Sequence, residues 1–257
     1  MCEVPAQESG FTCQAQSDMA GDTAGRLERM LEQQRQFITD ASHELCTPVA
    51  GLRAQLEEAQ LHPEQTDLIS LLGSALRDVN RLQEIVADLL LLARLKAGMP
   101  AEREPVDLGE LVQAQLCAQT YHREVRLRLD PQVIVEAVRP HIARVISSLV
   151  DNALRWATST VRIQVRLDDR SAELIVTDDG EGIVEADRER VFEPFTRLDS
   201  ARSRDRGGSG LGLAIARDIA LYHDGTLRVE SSCCGGARFV LRLPLLESRA
   251  LPEPEPA

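Results

Sequence analysis

Aromatic side chains are scarce: Phe, Trp and Tyr together make up only 3% of the 257 residues. A core must therefore come from Leu, Val, Ile and Ala, a mix suited to helices packed at heptad spacing. Long apolar runs are also missing. The densest, Ile85 to Leu95, is interrupted by Asp88 and Arg94, and nothing nears the roughly 20 residues that cross a bilayer, so no membrane-spanning segment is expected. Basic residues are in deficit, 29 Lys and Arg against 41 Asp and Glu for a net charge of −12. A broad nucleic-acid surface is thereby excluded, because it needs clustered cations. The six cysteines (Cys2, Cys13, Cys46, Cys117, Cys233, Cys234) lack zinc-site spacing and follow no secretory segment, which points to free thiols in a reducing cytoplasm. What is present, 43% hydrophobic and 27% charged residues, fits one large or two modest globular domains.

Residues 1–25 show no sustained apolar period, carry Pro5 and read as a disordered leader or the remnant of something upstream. From Arg26 a seam begins: Leu27, Leu31, Gln34, Ile38, Ala41, Leu45, Pro48, Leu52, Leu56 and Ala59 recur at steps of three and four, the signature of a helix with one packed face. His43 lies two residues from both Ala41 and Leu45, so at about 100° per residue it points away from that face. Pro48 removes one backbone hydrogen bond, and because the seam continues past it a bend within one helix is expected. After His62-Pro63 a second seam runs through Leu68, Leu72, Ala75, Val79, Leu82, Val86, Leu89 and Leu92. Two such helices form a hairpin over residues 26–97 whose open stripe is satisfied by a second copy, giving a homodimeric four-helix bundle.

Residues 98–105, with Gly98, Pro100 and Pro105, read as a linker. Helical and strand patterns then mix over residues 106–246, which suggests an α+β sandwich: one mixed sheet covered on one face by helices. Residues 247–257, with their Pro-Glu repeats, read as a disordered tail.

Four segments of this second domain carry candidate chemistry. Asn152 and Arg155 share one helix; an amide oxygen suits Mg²⁺ and a guanidinium suits phosphate, although a solvent-facing polar stripe gives the same pattern. Asp178-Asp179-Gly180-Glu181-Gly182 follows an aliphatic strand; Asp178 can accept from an exocyclic amine and the glycines let a flat ring approach, while a plain turn is the bland alternative. Phe192-Glu193-Pro194-Phe195 leads into Arg197, Arg202, Arg204 and Arg206, a basic loop fit to close over phosphates or simply to be solvated. Gly208-Ser209-Gly210-Leu211-Gly212 opens an apolar helix, where free N–H groups and the helix dipole favour phosphate.

Each signal is weak alone, but together with His43-Glu44-Leu45-Cys46-Thr47-Pro48 they stand in an order that chance does not readily produce. In that order, over about residues 26–245, the sequence resembles the bacterial two-component sensor histidine kinases. The resemblance implies a dimerisation and phosphotransfer hairpin, then an ATP-binding domain of the fold shared by gyrase, Hsp90, histidine kinases and MutL. It implies that His43 takes the γ-phosphoryl group of ATP with Glu44 acting on its ring, and that Thr47 orients water for dephosphorylation of the partner. It further implies that Asn152 holds Mg²⁺, that Arg155 and Arg197 meet phosphate and that Asp178 holds the adenine amine. Gly180, Gly182, Phe195, Gly208, Gly210, Leu211 and Gly212 complete the ATP site. The implied partner is a response regulator with an acceptor aspartate, and the implied setting is the cytoplasm, or the inner membrane if a longer sensor precedes this stretch.

Two residues depart from the pattern. Cys46 replaces the usual base after His-Glu-Leu, and Ser148 stands where relatives carry Asn and ATP-hydrolysing cousins carry a water-activating Glu. The competing readings are a degenerate nucleotide- or regulator-binding module without catalysis, and an ATP-hydrolysing conformational machine. His62, His122, His141 and His223 lack such company and read as surface or core residues, and Cys233-Cys234 before Gly235-Gly236 reads as a turn.

Overall fold

The structure, a computed structural model, describes residues 10–65, 67–117, 122–168, 171–198, 209–232 and 235–246. Its contacts divide the chain into two compact units, Met1–Asp78 and Val79–Ala257.

In the first unit, α1 spans Gly10–Leu61 without interruption at Pro48. Its backbone takes in residues 10–25, which the sequence pattern leaves without structure. The apolar seam starts only at Leu27, and a helix prolonged beyond its packed face gives no periodic signal. Ser42 and Thr47 hydroxyls donate to the Ile38 and His43 carbonyls at 2.8 and 2.9 Å, back-bonding that keeps both side chains against the helix. A 3-10 turn at Pro63–Gln65 reverses the chain. Asp67 then caps α2 (Leu68–Lys96), its Oδ1 accepting from the Ile69 and Ser70 amides at 3.1 and 3.4 Å. Gln55 donates across the hairpin to Asp78 at 3.4 Å. Leu31, Ile38 and Leu56 on α1 and Leu68 and Leu72 on α2 stay exposed, while Pro48 is buried and Leu45, Leu52 and Leu82 are half-buried, so the seam is covered only in part.

The second unit begins within α2. There Ile85, Asp88, Leu92 and Leu95 are buried, while the seam residue Val86 is exposed. The C-terminal half of α2 thus carries a second packed stripe, and the Asp88 that breaks the apolar run becomes part of it. Both carboxylate oxygens of Asp88 accept from Arg144, at 2.6 and 2.7 Å.

Strand β1 (Glu104–Asp107) pairs antiparallel with β3 (Ile134–Ala137) in a small ribbon. The sequence reading places residues 98–105 in a linker; its last two residues are strand instead. Pro105 masks the pattern, since proline is tolerated in a strand only where no partner needs its missing N–H. Helix α3 (Leu108–Cys117) follows, with Asp107 Oδ1 accepting from the Glu110 amide at 3.0 Å.

The main sheet contains β2 (Glu124–Leu129), β4 (Thr160–Asp168), β5 (Ser171–Asp178), β6 (Thr226–Ser231) and β7 (Ala237–Pro244). Its order is β2-β4-β5-β7-β6, with β2 parallel to β4 and the other pairs antiparallel. Alternate residues Val161, Ile163 and Val165 of β4, and Phe239, Leu241 and Leu243 of β7, are buried beneath α4 (Arg139–Trp156) and α5 (Gly212–Tyr222). The opposite face is polar: Arg166 and Arg242 both pair there with the buried Glu173 of the central strand. The expected helix-covered mixed sheet is the observed one, and its helices bring the ends of β5 and α4 together.

Candidate active site

Helix α4 is shaped by its apolar positions. Ile142, Val145, Ile146, Leu149, Val150 and Ala153 are buried at steps of three and four, and Pro140 at its start sits where no intrahelical donor is needed. That stripe against the sheet turns Asn152 and Arg155 to the flank, where both are half-buried. Burial pushes the Arg155 guanidinium below its ordinary value, Asp151 beside it pulls the other way, and Arg197 adds like-charge repulsion. Two arginines from separate segments are therefore close enough to feel one another, which is where an anion gains most. The Asn152 side-chain amide makes no hydrogen bond among the described residues, which leaves its oxygen open to a cation. One amide oxygen fits Mg²⁺, which takes few protein ligands and completes its shell with phosphate oxygens and water.

Asp178 ends β5 and is 2% exposed. Its Oδ1 accepts from the Gly180 and Ala237 amides at 2.9 and 3.1 Å. Its Oδ2 is buried and has no partner among the described residues. Burial raises its pKa above the ordinary carboxylate value, although the two amides oppose this. A buried acceptor left unpaired is costly, so the geometry fits a donor that arrives with a ligand. Gly236 closes the other side, since any side chain there would overlap Asp178.

Three more glycines stand at close approaches. Gly182 stands at φ +75°, and Gly212 opens α5 opposite Ser148, whose Oγ is buried and unpaired among the described residues. Gly210, at φ +73°, packs so closely on Phe195 that a Cβ would stand 2.8 Å from the Phe195 Cα, and the Phe195 amide donates to the Gly210 carbonyl at 3.0 Å. Phe195 itself has φ 62°, a costly left-handed conformation for an aromatic residue. Leu211 is fully buried and precedes α5, whose N-terminus has no side-chain cap. Its first turn lies at the positive end of the helix dipole.

Asp178, Gly180, Gly182, Asn152, Arg155, Phe195, Arg197, Gly210, Leu211 and Gly212 all belong to the second unit; Gly212 meets Ser148 of α4, Gly210 meets Phe195, and Arg155 and Arg197 feel one another. Gly208, Arg202, Arg204 and Arg206, like Cys233 and Cys234, lie outside the described residues. His43, Glu44 and Thr47 belong to the first unit. His43 is exposed on α1, as its offset from the seam requires, Glu44 is half-buried, and Cys46 is an exposed free thiol. Sequence reasoning missed Gly236 and the Ala237 amide, because the pairing that brings β7 beside β5 leaves no local mark; the Gly235-Gly236 pair was the only trace.

Residues 33–98 match the family described as the His Kinase A (phospho-acceptor) domain. Residues 137–247 match the histidine kinase-, DNA gyrase B- and HSP90-like ATPase family. The chain is 37% identical over 229 residues to the sensor protein RstB of Escherichia coli, covering 86% of this chain and 51% of the relative. It is 36% identical over 224 residues to the signal transduction histidine-protein kinase/phosphatase MprB of Mycobacterium ulcerans, covering 82% and 43%. The chain thus spans about half the length of these relatives. Among solved structures, the Acinetobacter baumannii histidine kinase AdeS superposes with a TM-score of 0.66 at 25% identity, over 79% of this chain and 98% of that one.

Proposed function

The chain belongs to the two-component sensor histidine kinases, and from that premise we propose that it phosphorylates its own His43 from Mg-ATP and passes the group to an aspartate of a response regulator. The observation that carries this reading is the buried Oδ2 of Asp178, which has no partner among the described residues, in the same unit as Arg155 and Arg197, which are close enough to repel one another. A bare acceptor suits the adenine amine, and paired guanidiniums suit the phosphates.

Asn152 would hold the Mg²⁺, which offsets phosphate charge when bound. Arg155 and Arg197 orient the triphosphate, and the amides at the start of α5 receive its oxygens. The exposed His43 offers a ring nitrogen to the γ-phosphorus; an N–P bond forms as the bond to the β-phosphate oxygen breaks and ADP leaves. Glu44, beside it, receives or holds the proton of the other ring nitrogen and so raises its nucleophilicity. Thr47, one turn on, is placed to orient water against a phosphorylated partner, in keeping with the kinase/phosphatase name of MprB. The open part of the hairpin's apolar seam is covered by a second copy in a four-helix bundle.

Steady ATP hydrolysis is disfavoured, because Ser148 offers only a hydroxyl where a carboxylate would be needed to activate water. Incubation with γ-labelled ATP and Mg²⁺ is expected to give acid-labile, base-stable label on the protein that vanishes in His43→Gln. Nucleotide binding without label would favour a non-catalytic module, and phosphate release undiminished in His43→Gln would favour an ATPase machine.

A further inference from the structure

Asp179 belongs to none of the roles above, yet it is among the most heavily bonded carboxylates of the second unit. Its Oδ1 accepts from the Thr158 and Ser159 amides at 2.8 and 3.0 Å. Its Oδ2 accepts from the Thr160 amide at 3.1 Å and from the Ser159 hydroxyl at 2.5 Å. Residues 158–160 lead from the end of α4 into β4. A single side chain next to Asp178 therefore gathers the three successive amides that follow the helix bearing Asn152 and Arg155. The two segments also touch directly, since a Cβ on Gly180 would overlap the Trp156 carbonyl oxygen. The bonds hold the Asp179 carboxyl far below the usual carboxylate range, with the Ser159 hydroxyl and amide the leading causes, so it is ionised at any physiological pH.

We propose that Asp179 is a positioning residue: it locks the phosphate-facing end of α4 in register with the adenine-facing Asp178 turn, so that both ends of one nucleotide are met at once. The inference rests on the reading of this site as an ATP site. Two subsites reinforce each other only when their separation is fixed, and freeing one wall makes the second contact cost ordering entropy each time a ligand binds. Asp179 itself touches no ligand in this scheme. The adenine contact through Asp178 survives its removal, because the Gly180 and Ala237 amides that orient Asp178 are separate bonds.

The test is the ratio of two affinities in the full chain. Adenosine reaches the Asp178 end alone, and Mg²⁺ with a non-hydrolysable ATP analogue reaches both ends. In Asp179→Ala the analogue is expected to bind about tenfold more weakly while adenosine changes by less than about threefold. Asp179→Asn, which keeps one acceptor oxygen and the same volume, is expected to fall between the two. In labelling assays the Ala variant raises KM for ATP more than it lowers kcat. Equal losses for adenosine and analogue, in variants whose far-UV circular dichroism is native, would overturn the proposal and leave Asp179 a purely structural cap. No loss for either would overturn it as well. If the wild-type chain binds the analogue no more tightly than adenosine, the ATP-site reading fails first and this inference falls with it.

Discussion

Replacing Asp178 by Asn changes one oxygen to an amide nitrogen and removes one buried charge. The amide oxygen can keep both bonds now made by Oδ1, from Gly180 and Ala237. The NH₂ then takes the place of the bare Oδ2 and presents a donor to the donor of an incoming adenine. The loss combines a charge-assisted hydrogen bond, about 1.5–3 kcal/mol, with the cost of two opposed donors, about 1–2 kcal/mol; together about 2.5–5 kcal/mol, or roughly 10²–10⁴-fold in affinity. Stability moves the other way. Burial raises the Asp178 pKa in the folded state, so its favourable contribution is complete below the unfolded value of 3.8 and is lost as pH rises through the folded-state value above it. At neutral pH the native carboxylate is therefore a burden, and the uncharged Asn variant should melt at the same temperature or a few degrees higher. Calorimetric titration with Mg²⁺ and a non-hydrolysable ATP analogue, beside a thermal melt, measures both. An affinity loss below about threefold, or a melting temperature several degrees lower, would refute this account of Asp178.

Arg144→Ala leaves the buried Asp88 carboxylate without its two bonds; it should destabilise the chain by about 1–3 kcal/mol in urea unfolding, less than a fully buried pair because Arg144 is partly open to water. Asp88→Asn made in the same chain should recover much of that loss. His223 is buried with Nε2 accepting from the Val138 amide at 3.0 Å and Nδ1 against the Ile219 carbonyl at 2.8 Å, an arrangement that suits only the neutral ring, and burial lowers its pKa. The stability it contributes is present above the unfolded value of 6.5 and lost as pH falls through the folded one, so melting temperatures should drop below pH 6.5; a ring NMR titration of His223 with its midpoint at or above 6.5 would contradict this. Thr47→Ala should preserve labelling of His43 and slow release of phosphate from the labelled response regulator, as followed by gel over time.

The hairpin was legible because helices write their packing into steps of three and four. The exposure of His43 follows from its two-residue offset on that scale, and the order of the motifs identified the family before any contact was known. Strand β1 was not legible, because Pro105 reads as a break wherever its missing N–H cannot be placed. Neither was the role of Asp88, which interrupts an apolar run in sequence and completes a half-buried ion pair in space.

By itself, then, the sequence determined what depends on neighbours a few residues apart: the two seams, the helix-start glycines and the chemical identity of the site residues. Tertiary structure alone decided what depends on strand order. Thr177 lies opposite Arg238, and this pairing carries the Ala237 amide and Gly236 to Asp178, saturating one carboxylate oxygen and leaving the other bare. The physical reason is that a β-pairing between distant segments is selected by the burial of the whole sheet, a sum over many residues that no local spacing records.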